Sequence, residues 1–511
     1  MSNTVKSAFI FFAATMISKV LGFFRDVVIA KVYGAGAISD AYFMSLNIIT
    51  VAFIGLFCVA IQSTYMPIYT KIEENDGRSK ALEFTGNIIN IIVIFSLVVV
   101  VFGWVFTEPL VKLFAMGFTG KTLALTIQLT RIVLFSVGLV SVTYILKAYL
   151  EIHNYFLITG LMSIPYNISI IISVYLSKNF GVGILGYGTV FAFLAQILFL
   201  IPFCCKKGFK YKLKFNLKDK NVKRMALAIV PILIGASANQ VNSLVDKNLA
   251  STLAEGSLSA LNYGYRLNIF VTGLFVASIT SVMYPLFSKL GANKNIQKLK
   301  DNLSLSINAI TLVTLPISVG AFILSEPIIR VLFESGEFDS SATVLSAQVL
   351  AFYAIGMLAS GIRDIVVIVY YSLNDTKTPM KNSLLCVFFN IVFNLILIRY
   401  LKAPGLALGS SISAILAVCF LMYQLRKKIG HLNATNMIIS FIKISFTSGI
   451  MAVVVLTVFE KLSPTSELIS LLVSVTAGAI VYIIIILMLK IDATDYFIDI
   501  LKNRFKRNNV K

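Results

Sequence analysis

Ile91-Ile92-Val93-Ile94-Phe95-Ser96-Leu97-Val98-Val99-Val100-Val101-Phe102-Gly103-Trp104-Val105-Phe106 carries no charge, and its only hydroxyl is that of Ser96. It closes an apolar run over 82–106, long enough for a helix to cross the ~30 Å hydrocarbon core of a bilayer, which takes about 20 residues. Nothing in it alternates as a strand does. Lipid offers no partner to a backbone N–H or C=O, so a spanning segment must satisfy its own, and the stretch reads as a transmembrane helix. Working outward, thirteen more runs have this character, near 5–31, 38–70, 123–148, 156–177, 183–204, 224–252, 258–288, 302–325, 342–372, 380–399, 404–425, 435–459 and 467–490. The expected fold class is therefore an all-α polytopic membrane protein of about 14 transmembrane helices.

Composition agrees. Of 511 residues, 58% are hydrophobic and 13% charged, with a net charge of +21; mean hydropathy is +0.88. A folded surface must stay substantially polar to be soluble, so a water-soluble enzyme of this size is excluded, as are a disordered chain and a disulfide scaffold. The five cysteines lie scattered in apolar runs without a CxxC, and His153 and His431 lie far apart, so no metal site is suggested. The first run is too long and too charged (Lys19, Arg25, Asp26) for a cleaved signal peptide.

With both termini on the cytoplasmic side, the inner connections carry 29 Lys and Arg and the outer ones 8, which is the bias that sets orientation. The largest group is the nine cations of 206–224. The positive charge thus reports topology and contact with the bilayer, not nucleic acid. Seven cations remain inside helices: Lys19, Arg25, Arg131, Lys247, Arg266, Arg363 and Lys443.

The chain also repeats. Thr107-Glu108-Pro109-Leu110-Val111-Lys112-Leu113-Phe114 matches Ser325-Glu326-Pro327-Ile328-Ile329-Arg330-Val331-Leu332, and Met66-Pro67-Ile68-Tyr69 matches Tyr284-Pro285-Leu286-Phe287, both 218 residues apart. Asp26 through Ser39 matches Asp246 through Ser259 at an offset of 220. Six helices per copy give two lobes of the same orientation in a parallel pseudo-twofold repeat, and transporters so built carry their substrate between the halves. The expected division is an N-lobe over 1–205, a basic cytoplasmic linker over 206–223, a C-lobe over 224–428, two further helices over 429–490 and a basic cytoplasmic tail over 491–511.

A charge held inside a membrane costs about 2.5–3.5 kcal/mol on the gentlest scale, so it persists where paired or where it lines a wet cavity. In the matching halves Lys19, Arg25, Arg131, Lys247 and Arg266 outnumber Asp26, Asp40 and Asp246. A surplus of buried cations suits an anionic substrate, and an arginine fork suits a phosphate. Arg25–Asp26 can equally be a structural ion pair, and Lys19 can snorkel to a membrane face. Asn390 and Asn394 share one helix face, with Asp246 and Ser410 as candidates to meet them. Such oxygens can hold a sodium ion or simply bond helix to helix.

Ser18-Lys19-Val20-Leu21-Gly22-Phe23-Phe24-Arg25-Asp26, Gly34-Ala35-Gly36 and Ser39-Asp40-Ala41-Tyr42 resemble the opening of the MurJ/MviN family, lipid II flippases of the multidrug/oligosaccharidyl-lipid/polysaccharide exporter superfamily. So do Ser259-Ala260-Leu261-Asn262-Tyr263, Leu332-Phe333-Glu334-Ser335-Gly336-Glu337-Phe338-Asp339 and Asn374-Asp375-Thr376-Lys377-Thr378-Pro379. The resemblance implies a non-enzymatic carrier of undecaprenyl-pyrophosphate-linked muropeptide from the inner to the outer leaflet by alternating access. It implies a cationic cavity where Arg25, Asp26 and Arg266 engage the pyrophosphate, with Ser18, Lys19, Asp40 and Asn262 nearby, and a groove for the lipid tail along the last two helices. It implies a sodium site at Asp246, Asn390, Asn394 and Ser410; no cofactor is expected, and sodium, protons and the membrane potential are the candidate drivers. A monomer in the bacterial cytoplasmic membrane is expected, working beside the cell-wall synthesis machinery.

The chain departs from that pattern in places. Many members have arginine at the position of Lys19 and an arginine pair where this chain reads Val51-Ala52-Phe53-Ile54, and a glutamate a turn later is replaced near Cys58. A carrier of another polyprenyl-pyrophosphate oligosaccharide stays open as an alternative. A cation-coupled multidrug exporter fits the surplus of basic charge less well, and a non-transporting scaffold leaves that charge without a purpose. No GxxxxGK[ST] occurs, so ATP is not expected to drive the protein directly.

Overall fold

The computed structural model describes residues 3–463 and 466–489. Among them every regular element is helical. The tail expected at 491–511 lies outside the described residues.

Two compact units emerge. The first comprises Met1–Ser259 and Ser335–Asp339. Its helices are α1 (Asn3–Tyr33), α2 (Ala37–Ile49), α3 (Val59–Asp76), α4 (Arg78–Val105), α5 (Thr107–Phe114), α6 (Gly120–Val133), α7 (Ser136–Ile152), α8 (Phe156–Leu161), α9 (Ser163–Phe180), α10 (Gly183–Lys206) and α11 (Lys220–Ser251). A π-helical stretch, Thr50–Cys58, joins α2 to α3. The second unit comprises Ala260–Glu334 and Ser340–Lys511. It contains α12 (Ser257–Val271, whose first turn belongs to the first unit), α13 (Ala277–Ala292), α14 (Ile296–Ile323), α15 (Ser325–Phe333), α16 (Ser340–Ser372), α17 (Lys377–Leu401), α18 (Ala403–Ile429), α19 (Ala434–Leu462) and α20 (Glu467–Met488). Here too a π-helical stretch, Thr272–Val276, interrupts a span.

The helices fall on the fourteen apolar runs. Among the described residues eleven helical stretches are long and apolar enough to cross a membrane, and the pair α6 and α7, bent by 47°, makes a twelfth if taken as one span. The runs at 5–31 and 224–252 are α1 and α11, whose side chains are described only in part. The repeat has its counterpart in structure. The matching Glu-Pro stretches form the short amphipathic helices α5 and α15, and the Met66-Pro67 and Tyr284-Pro285 segments lie in α3 and α13, each behind a π-helical break.

Within the first unit, α3, α4, α7 and α10 close on a core that includes Tyr65, Tyr69, Phe84, Leu146, Tyr149 and Leu200. The Tyr65 hydroxyl shares a 2.7 Å hydrogen bond with Thr85 Oγ1, which lets a tyrosine sit fully buried. In the second unit, α13, α14, α16 and α18 enclose Phe287, Leu303, Ile310, Ile365, Val369 and Leu421. The last two helices pack on α14 through Met451, Val455, Tyr482 and Ile486, and Tyr482 donates 2.7 Å to the Leu312 carbonyl. Exposed leucine, valine and phenylalanine on α4 (Leu97, Val101, Phe102) form the face a lipid-embedded helix presents.

The expected lobe boundary and the packing differ at Ser335–Asp339, which belongs to the first unit, and at α11. The repeat assigns 224–428 to the second lobe, whereas α11 packs in the first unit, against α3 and the Thr50–Cys58 stretch. The reason is polar. Lys247 Nζ donates 2.8 Å to Asn47 Oδ1, and Asn248 Nδ2 donates 2.6 Å to the Leu113 carbonyl.

Candidate functional site: an arginine–aspartate group inside a spanning helix

Helix α1 packs on α8 and α9. Ser18 fixes the contact by donating 2.7 Å to the Gly160 carbonyl. Asn167 of α9 lies beside Gly22, where an added Cβ would stand in ordinary contact with its amide. One turn on, Arg25 meets Asp26: Nη2 and Nε lie 2.6 and 3.0 Å from Asp26 Oδ1. Arg25 Nη1 donates 3.2 Å to Asn167 Oδ1, whose own amide nitrogen is held by the Ser163 carbonyl. The Tyr166 ring lies 5.9 Å from the guanidinium carbon, within cation–π reach. Asn167 and Tyr166 complete the group and escape sequence reasoning; the available signal is one asparagine inside the apolar run 156–177.

A guanidinium has five N–H donors. Three are engaged here by Asp26 and Asn167, which leaves two for an incoming oxyanion. The side chain is 11% exposed, so those donors act where water competes weakly. Lys19, half-buried on the same helix, adds a cation less than two turns away.

The remaining expected residues divide. Asp40 is buried and fully committed: Gly256 N and Ser259 N donate to its two oxygens at 2.7 Å each, and Ser259 Oγ donates as well. Its charge sits at the first turn of both α2 and α12, where helix dipoles favour an anion. Asp40 thus binds helix ends together. Beside it Gly34, at φ +60, passes the Glu337 carbonyl where a Cβ would stand. Asn262 is half-buried and Arg266 exposed, four residues apart on one face of α12 in the second unit. In that unit Asn394 Nδ2 donates 2.9 Å to Asn390 Oδ1, and Asn390 Nδ2 donates 3.0 Å to Ser410 Oγ. Asp246 is buried on α11 in the first unit. Among the described residues no group of three His, Cys, Asp or Glu is placed to hold a metal ion.

Helical spans in two units, interrupted by matching breaks and holding an arginine with unspent donors inside the membrane, define a multi-pass membrane transporter. The family described as Lipid II flippase MurJ matches residues 29–505, and the chain belongs to it, as the resemblance in its opening motifs implies. It is 30% identical over 434 residues to the probable lipid II flippase MurJ of Vibrio cholerae serotype O1, covering 82% of each chain. To that of Thermotoga maritima it is 27% identical over 496 residues, covering 96% of this chain and 98% of the relative. The solved structure titled "Lipid II flippase MurJ, inward closed conformation" superposes with a TM-score of 0.79 at 26% identity, over 96% of this chain and 99% of that one. An inward-facing multidrug resistance MATE family transporter of the MOP superfamily shares the fold, with a TM-score of 0.67 at 17% identity, over 84% of this chain and 99% of the other.

Proposed function

We propose that this protein carries lipid II from the inner to the outer leaflet of the bacterial cytoplasmic membrane by alternating access, with both termini cytoplasmic. The observation that carries this reading is Arg25: a charge kept inside a spanning helix, braced by Asp26 and Asn167, with two N–H groups unspent. A pyrophosphate presents oxygens that such a fork can bind as a pair. Lys19 supplies further positive charge to the headgroup while the polyprenyl tail stays in lipid. No bond is made or broken.

Outward passage of an anion is favoured by an inside-negative potential, at ~2.3 kcal/mol per charge per 100 mV. A cation moving inward resets the carrier, and the buried amides Asn390 and Asn394 with Ser410 are the candidate oxygens for sodium. The protein acts as a monomer within reach of the enzymes that polymerise its cargo.

A second reading, export of a different polyprenyl-pyrophosphate saccharide, rests on one feature. Where many members carry arginines, Val51 and Phe53 are buried, and Phe53 sits in an apolar cluster with Ile49, Val100 and Leu134. The test is complementation of a strain depleted of its own lipid II flippase, scored by access of an externally added cleaving protein to lipid II. Rescue supports the first reading. Failure with the protein present in the membrane moves the assignment to the second.

A further inference from the structure

The basic linker between α10 and α11 is laid along α4 as an extended strap. Asn87 and Asn90, one turn apart on α4, grip its backbone. Asn87 Nδ2 donates 3.0 Å to the Asn216 carbonyl while Asn216 N donates 2.7 Å to Asn87 Oδ1, which imitates a pair of strand hydrogen bonds. Asn90 Nδ2 donates 2.8 Å to the Lys214 carbonyl, and Asn90 Oδ1 accepts from the Tyr211 hydroxyl. Lys212 and Lys214 reach Glu83 at 3.0 and 3.3 Å. Gly86 admits the strap, for a Cβ there would collide with the Lys212 carbonyl.

An extended segment throws successive side chains to opposite faces. In Lys212-Leu213-Lys214-Phe215 the two lysines reach back to Glu83 of α4 and the two apolar residues face outward: Leu213 is 85% exposed and Phe215 55%, with Leu217, 56% exposed, in the turn that follows. This inverts the usual arrangement, in which an exposed strand turns its apolar side to the protein. Three large apolar side chains left in water would forfeit the transfer energy that drives folding.

We propose that this strap is an interfacial anchor, whose outward face enters the cytoplasmic leaflet of an anionic bilayer. Two observations select that occupant. The strap runs from the end of one spanning helix to the start of the next and crosses α4 at Asn87–Asn90, about 14–18 Å from its first residue at 1.5 Å per residue. There the α4 surface changes from Arg78, Lys80 and Glu83 to exposed Ile94, Phe95 and Leu97, so the apolar face of the strap continues the lipid-facing surface. Charge is complementary as well: the segment 206–224 holds nine cations and one acid, Asp219. Lysines that flank inserted apolar groups draw such a segment to anionic headgroups.

The natural chain has one tryptophan, Trp104, so Trp104→Phe gives a silent background for a reporter. The full-length protein carrying Leu213→Trp or Phe215→Trp is reconstituted into phosphatidylglycerol–phosphatidylethanolamine vesicles whose acyl chains are brominated near the headgroup. Lys218→Trp is the control. Blue-shifted emission quenched by the brominated lipid at 213 and 215, but not at 218, is expected, with weaker quenching in phosphatidylcholine vesicles. Emission at 213 and 215 that matches 218 and is quenched by acrylamide overturns the proposal. Blue-shifted emission reached by neither quencher overturns it too, since protein then covers the face. Two reporter positions guard against one variant failing to fold.

Discussion

Two polar groups, one in each unit, are built on opposite plans. In the first unit, Arg25 is braced by Asp26 and Asn167 and still holds donors in reserve. In the second, Asn394 donates to Asn390 and Asn390 to Ser410 in a chain of neutral groups. An amide chain of that kind fastens α17 to α18 and costs little to bury once its bonds are made. A charged group with spare donors is expensive to keep, and it is retained where something with the opposite charge arrives. The comparison teaches that intramembrane polarity separates into fastening and receiving, and that the number of unspent donors tells them apart.

The sharpest break of this comparison is Arg25→Ala. Two charge-assisted hydrogen bonds to substrate at about 1.5–3 kcal/mol each are lost, which predicts a transport decrease of roughly 100-fold or more. Asp26 is left buried without its guanidinium, so the thermal midpoint in detergent falls as well, in keeping with about 3–5 kcal/mol for breaking a buried pair. Transport within a few-fold of wild type would place Arg25 among the fastening groups.

Asp40→Ala comes next. It strands the N–H groups of Gly256 and Ser259, each at about 1–3 kcal/mol. Thermal unfolding should show a clear loss of stability, largely recovered by Asp40→Asn. Equal behaviour of the two variants would contradict the helix-end role.

Asn394→Ala should cost about 0.6 kcal/mol and leave transport near normal if the amide chain only fastens helices. Loss of sodium dependence in that variant, measured as flipping against external sodium, would instead make the chain a coupling site.

The smallest effect lies outside the membrane. Burial alone would raise the Asp375 carboxyl, but Lys428 Nζ at 2.6 Å and the backbone and hydroxyl of Thr378 bring it down to about 2. The folded value lies below the unfolded one, so its stabilising contribution is complete above about pH 4 and disappears as pH falls through about 2. Lys428→Ala should move acid unfolding to slightly higher pH by less than ~1 kcal/mol, as expected for a partly exposed pair. An unchanged acid profile would show that the Thr378 bonds alone hold the carboxyl.

Hydropathy made the spans legible, because lipid imposes one rule on every backbone group. The two Glu-Pro stretches were legible as a repeat, and both fold as short helices, α5 and α15, because a repeated local sequence meets the same local physics twice. The π-helical breaks at Thr50–Cys58 and Thr272–Val276 were not legible, since hydropathy is blind to helical pitch. The Arg25–Asp26 pair could be read from adjacency, yet Asn167 lies 142 residues away, and only packing reveals it. Asp40 shows the converse: sequence marks a buried carboxylate but not whether it faces a substrate or a row of backbone N–H groups. The strap was visible as a basic linker, while its outward apolar face depends on Asn87 and Asn90, which nothing in the linker itself signals.

The central claim is that Arg25 receives an anion. The direct measurement uses the double variant Arg25→Gln with Asp26→Asn, which keeps the size and hydrogen-bonding capacity of the pair and removes both charges. It is compared with wild type in the flippase-depleted strain, reading lipid II access to the external cleaving protein and the amount of folded protein in the membrane. The account predicts rescue by wild type and none by the double variant at equal folded protein. Normal flipping by the double variant would contradict it.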